Sequence, residues 1–140
     1  MSVEIMSWNI ADAFSEEERA RKVLRVVGAA KPTVGVFPEA WQEGQESLLD
    51  LVEEDLDKQG YRVTRALYED DVKRRDRHGI LGIVQEEASS DRFSHAVRLA
   101  GRNALRLTVV DPETENELDC WGVHYDDRSP RHRHAQAEDC

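Results

Sequence analysis

A chain of 140 residues is long enough for one domain with a core of its own. Its 29 acids and 19 bases leave a net charge of −10, which disfavours an extended nucleic acid as partner, because that partner needs a basic face. Nothing in it approaches the ~18 apolar residues of a membrane span, no charged-then-apolar leader opens it, and its two cysteines lack a paired framework, so reduced thiols in a cytoplasmic protein are expected.

Residues 3–10 read as a strand with Val3 and Ile5 on one side and Met6, Trp8 and Ile10 on the other. Two apolar sides predict a central position in a layered fold. Ser15 to Glu18 has the pattern of a capping box. A helix then runs to about Ala30 with Ala20, Val23, Leu24 and Val27 as its stripe. Lys31-Pro32 stops it, and Thr33 to Phe37 forms a short buried strand ended by Pro38. A second helix follows Gly44, with Leu48, Leu49, Val52 and Leu56 as its stripe and Gly60 just past its end.

Strands follow at 61–68 and 78–85, separated by a charged loop from Glu69 to Arg77. Three more are expected at about 93–99, 103–110 and 117–125, the last two joined by a hairpin turn over Asp111–Asn116. The order β-α-β-α followed by strands predicts an α/β (α+β) fold. Its sheet is mixed and mainly antiparallel, with helices on one face.

Three apolar runs end on a polar residue suited to catalysis. Asn9 closes the first strand; an amide there either caps a turn or gives a hard cation a neutral oxygen. Glu39 lies among Phe37, Pro38, Ala40 and Trp41. A carboxylate buried there needs a cation or a donor, and Mg²⁺ is commonly held by one or two carboxylates with several waters retained. His124 closes the strand from Leu118; it either bonds a backbone carbonyl or faces a substrate. An amide, a carboxylate and an imidazole at strand ends are parts of a metal-assisted phosphoester site.

In this order the segments Trp8-Asn9, Pro38-Glu39 and Val123-His124-Tyr125-Asp126 resemble the first half of the endonuclease/exonuclease/phosphatase superfamily, the deoxyribonuclease-like fold. Gly79-Ile80-Leu81 is similar to that family's G-x-A-I-L strand, and Arg133-His134-Ala135-Gln136 to its R-x-x-Q helix. The family pattern P-D-hydrophobic-x-x-Q-E is kept at its Glu, while Thr33 stands for the acid and Pro38 for the Gln. The resemblance implies half of a four-layer α/β/β/α sandwich and a metal-dependent phosphoesterase, a phosphodiesterase, nuclease or phosphatase. Glu39 and Asn9 would hold Mg²⁺ or Mn²⁺, with His124 and Asn9 as catalytic residues and a phosphate ester as substrate.

The family's D-x-N and S-D-H elements, which should follow His124, are not in these residues. Ser90-Asp91-Arg92 and Ser94-His95 are similar only superficially, because they precede His124. The resemblance therefore implies that residues 1–140 are the N-terminal portion of such a domain. Hydrolysis by this chain alone is then expected to be negligible. An alternative reading is a catalytically silent, truncated α/β domain that serves as a binding module. A half-domain should also leave the helix-free sheet face uncovered and prone to self-association. A zinc site from Cys120, His124, His132, His134 and Cys140 fits no common spacing. Arg74, Arg75 and Arg77 read as a solvated loop rather than a substrate contact.

Overall fold

The computed structural model describes residues 3–42, 44–67, 78–90, 94–99 and 102–122. Strand β1 (Ile5–Ser7) leads through a short 3₁₀ turn to helix α1 (Glu17–Ala30), then to β2 (Val34–Gln42) and helix α2 (Leu49–Lys58). Five strands follow: β3 (Tyr61–Leu67), β4 (His78–Gln85), β5 (Ser94–Leu99), β6 (Arg102–Val110) and β7 (Glu117–Gly122). The first four strands form a sheet in the order β1-β2-β4-β3, parallel at β1/β2 and antiparallel elsewhere. Strands β5, β6 and β7 form a separate antiparallel sheet. The fold is mixed α/β, mainly antiparallel, with both helices on one face, as the patterning predicts.

Both faces of the first sheet are buried. On one side, Phe37, Leu81 and Ile83 pack with the helix stripes Ala20, Val23, Leu24, Val27, Leu49, Val52 and Leu56. On the other, Val34, Val36, Ile80 and Val84 pack against Leu105, Leu107 and Val109 of β6. The second sheet thus covers the face expected to be open. A two-sided apolar strand shows that both faces are covered; it does not show by what. Gly82 makes the sheet contact close, since a Cβ there would stand 2.7 Å from Leu105 Cδ2.

Four local expectations are corrected. Among the described residues strand β1 lies at the edge of its sheet, with Ile5 58% and the following Trp8 37% exposed, not at its centre. Its remaining apolar residues divide, Val3 toward the sheet–sheet core and Met6 toward the helix-side core. The capping box does not form. Helix α1 starts behind Glu16 without a side-chain cap, because the Ser15 hydroxyl accepts from Gln42 N–H and donates to the Gln45 carbonyl. Strand β2 does not end at Pro38 but runs on to Gln42. In α2 the stripe begins at Leu49, with Leu48 just outside the helix.

The turn chemistry holds as expected. Lys31 closes α1 in the left-handed region, Gly60 (φ +91°) follows α2, and Asp111 N–H donates to the Asn116 carbonyl across the β6–β7 turn.

Candidate functional site

Strand β2 changes character halfway along. Val34 to Phe37 pair in step with Val84 to Leu81 of β4, but Trp41 then pairs with Gly79. Three residues, Pro38, Glu39 and Ala40, thus oppose Ile80 alone. This bulge accommodates Pro38, which has no N–H to give a ladder. It also breaks the alternation, so the neighbours Ala40 and Trp41 both join the helix-side core. Gly79 is required opposite, because a methyl group there would overlap the Trp41 indole. The Trp41 Nε1 donor is buried without a partner among the described residues.

Glu39 sits at the apex of the bulge, half-buried, with φ 50°. A left-handed conformation at a non-glycine residue costs about 1–2 kcal/mol. Such strain gathers where the surrounding structure has a use for it.

Asn9 follows β1 on the neighbouring strand. Parallel pairing sets Ser7 beside Val36, and Trp8 N–H donates to the Val36 carbonyl at 3.1 Å. The chain then turns: Asn9 Oδ1 accepts from Ala11 N–H at 3.0 Å, the cap role weighed from the sequence. An amide oxygen has two lone pairs, so this bond leaves it a second acceptor position. Ala11 and Asp12 are both left-handed (φ 49° and 60°). The turn is tied back to the bulge by Asp12 N–H, which donates to the Glu39 carbonyl at 2.6 Å. Arg19 Nη2 from α1 donates to the carbonyls of Ile10 and Ala11 at 2.9 and 2.8 Å. His78, at the start of β4, places Nδ1 2.8 Å from Asp12 Oδ1.

The structure therefore brings the Asn9 turn and the Glu39 bulge together at one edge of the first sheet. His124 lies outside the described residues, as do Arg74, Arg75, Arg77, Asp91, Arg92, His132, Arg133, His134, Gln136 and Cys140. The strand leading toward His124 is described to Gly122, which abuts Val36 so closely that a side chain there would overlap the valine. In that strand, burial and next the Asp119 carboxylate push the Cys120 thiol pKa up. Thr33, standing where the family pattern has an acid, is buried and its hydroxyl accepts from Glu4 N–H at 3.1 Å. Asp12 and His78 carry no signal in the sequence: one is a loop acid among many, the other the first residue of a strand.

No protein-family model matches this sequence, and no curated protein sequence does either. Solved structures do match its backbone. An endonuclease/exonuclease/phosphatase from Beutenbergia cavernae DSM 12333 superposes with a TM-score of 0.75 at 17% identity, over 97% of this chain and 42% of the other. The fold is that of the endonuclease/exonuclease/phosphatase structures. Humanized D. rerio TDP2 matches with a TM-score of 0.68 at 15% identity, over 97% of this chain and 56% of that one. ANGEL2, a 2',3'-cyclic phosphatase, matches with a TM-score of 0.66 at 13% identity, over 96% and 44%. The chain thus spans about half the length of these structures. No helix among the described residues is long and apolar enough to cross a membrane.

Among the described residues no three His, Cys, Asp or Glu side chains cluster as a metal site. One carboxylate with a neutral amide nearby nonetheless suits a hard cation that keeps most of its water. The residues present fit the light ligand set of Mg²⁺ or Mn²⁺ better than that of zinc, which takes three or four protein ligands.

Proposed function

We propose that this chain supplies the metal-holding part of a metal-dependent phosphoester hydrolase. The observation that carries the reading is Glu39, held in a strained left-handed conformation at the apex of a bulge beside the Asn9 turn. The fold of the matching structures supports the same reading.

In it, Glu39 gives the single negative charge and Asn9 a neutral oxygen to Mg²⁺ or Mn²⁺. Bound there, the cation would supply Lewis-acid polarisation of a phosphoryl oxygen and offset charge on the leaving group. His124 would donate a hydrogen bond to the phosphate oxygens, adding to transition-state stabilisation. The Arg19 and Asp12 ties keep the Asn9 turn from drifting, so that amide and carboxylate hold their relative places before substrate arrives. The substrate is a phosphate ester, and the net charge of −10 disfavours extended nucleic acid.

The residues that would activate water, the family's D-x-N and S-D-H, are not in this sequence. Loss of a general base alone costs about 10²–10⁴-fold. The chain is therefore expected to bind Mn²⁺ through Glu39 yet to hydrolyse bis(p-nitrophenyl) phosphate negligibly. Titration of Mn²⁺ into wild type and Glu39→Ala tests the first point, and release of p-nitrophenol tests the second. Binding that Glu39→Ala leaves intact would count against the metal assignment. Fast turnover lost in Glu39→Ala would show a complete site within these residues.

A further inference from the structure

The Asp12–His78 pair has no part in the family resemblance, yet the Asp12 backbone is hydrogen-bonded to that of the proposed ligand. Both side chains are about one quarter exposed, with 27% for His78 and 25% for Asp12. They come from segments 66 residues apart. A carboxylate offers only acceptors, so the contact at 2.8 Å makes His78 Nδ1–H the donor and Asp12 Oδ1 the acceptor. Asp12 faces two ways: its side chain takes the imidazole, while its backbone N–H donates to the Glu39 carbonyl at 2.6 Å.

Of the five non-glycine residues with positive φ among the described residues, three meet here: Ala11, Asp12 and Glu39. Each costs about 1–3 kcal/mol and persists only when neighbouring contacts over-determine it. The Arg19 bonds to Ile10 and Ala11 hold the first part of the turn. Asp12 holds the Glu39 peptide through its backbone N–H, and the Asp12 side chain is in turn held by His78. The backbone that carries the imidazole is itself fixed, because His78 pairs with Gln42 at the first step of β4, next to the packed Trp41–Gly79 step.

We propose that Asp12 and His78 are positioning residues for Glu39. The imidazole fixes Asp12, and Asp12 fixes the peptide that carries the Glu39 carboxylate. This rests on the reading of Glu39 as a metal ligand. Contacts that orient a ligand without touching the metal typically alter its affinity 10–100-fold when removed. A pair serving only stability would leave the affinity unchanged.

The test uses the full chain as wild type, Glu39→Ala, His78→Ala and His78→Asn, with Mn²⁺ titrated and free Mn²⁺ read by electron paramagnetic resonance. Asn puts an amide N–H close to the position of the imidazole Nδ1–H. Hydrogen exchange at the Asp12 amide is followed in parallel. The proposal expects His78→Ala to weaken Mn²⁺ binding about 10–100-fold and to speed exchange at Asp12 with α1 unaffected. His78→Asn should restore most of both. Wild-type affinity in His78→Ala, with binding abolished in Glu39→Ala, would overturn the positioning role and leave the metal reading standing. Unchanged Asp12 exchange in His78→Ala would overturn it as well. A wild-type chain that takes no Mn²⁺, or a Glu39→Ala that still does, would sink the metal reading, and the proposal with it.

Discussion

The two halves of β2 share one strand and obey different constraints. From Val34 to Phe37 the ladder is regular, both faces are buried, and alternate side chains serve the two cores. From Pro38 to Gln42 the strand bulges, carries a left-handed Glu39 and adds to its pairing with β4 hydrogen bonds to the Asp12 loop and to Ser15. The first half shows how apolar alternation builds a sandwich. The second shows that the same sandwich is stable enough to hold an unfavourable backbone at its edge. Stability should therefore reside in the first half and the proposed chemistry in the second.

The largest effect should come from the regular half. Phe37 is fully buried and meets Phe14 edge-on at 6.2 Å between ring centroids. Phe37→Ala should cost about 3–5 kcal/mol, read by urea unfolding. A loss under about 1 kcal/mol would mean that the core is not closed around this ring.

Gly79→Ala probes the boundary between the halves. The added methyl would overlap the Trp41 indole, and overpacking of this kind costs about 1–3 kcal/mol. The near-ultraviolet circular dichroism of the tryptophans should change with it. Near-wild-type stability with an unchanged spectrum would show the ring free to move aside and the bulge loosely held.

The smallest effect concerns how well the second sheet seals the regular half. Cys120 packs against the core that contains Val34 and Val36, and burial raises its thiol pKa. At pH 8 less of it is thiolate than of an ordinary cysteine, so iodoacetamide should alkylate it slowly in the native state and readily in urea. Peptide mapping separates Cys120 from Cys140. Equal rates in both conditions would show the two sheets parting in solution.

The element order, the helix stripes and the fold class were legible because each rests on periodicity, and packing followed it at Val23, Val27, Val52 and Leu56. That Asn9 and Glu39 each follow an apolar run was legible, and the parallel pairing of β1 and β2 sets the Asn9 turn beside the Glu39 bulge. The bulge was not. Pro38 read as a terminator because a proline withholds a ladder donor, and only the register of β4 shows the strand absorbing it. The partner of the helix-free face was also misread, since the alternation in Ile80, Gly82 and Val84 demands a cover without naming it. Asp12 and His78 escaped notice because their pairing spans 66 residues and neither belongs to a local pattern.

The central claim is that the Glu39 backbone is kept strained for the sake of its carboxylate. Glu39→Gly removes both at once, and one experiment reads both: urea unfolding with and without Mn²⁺. Glycine adopts positive φ freely, so the metal-free variant should be more stable than wild type by about 1 kcal/mol. Mn²⁺ should then stabilise wild type and leave the variant unchanged. A variant less stable than wild type, yet stabilised equally by Mn²⁺, would contradict both halves of the claim.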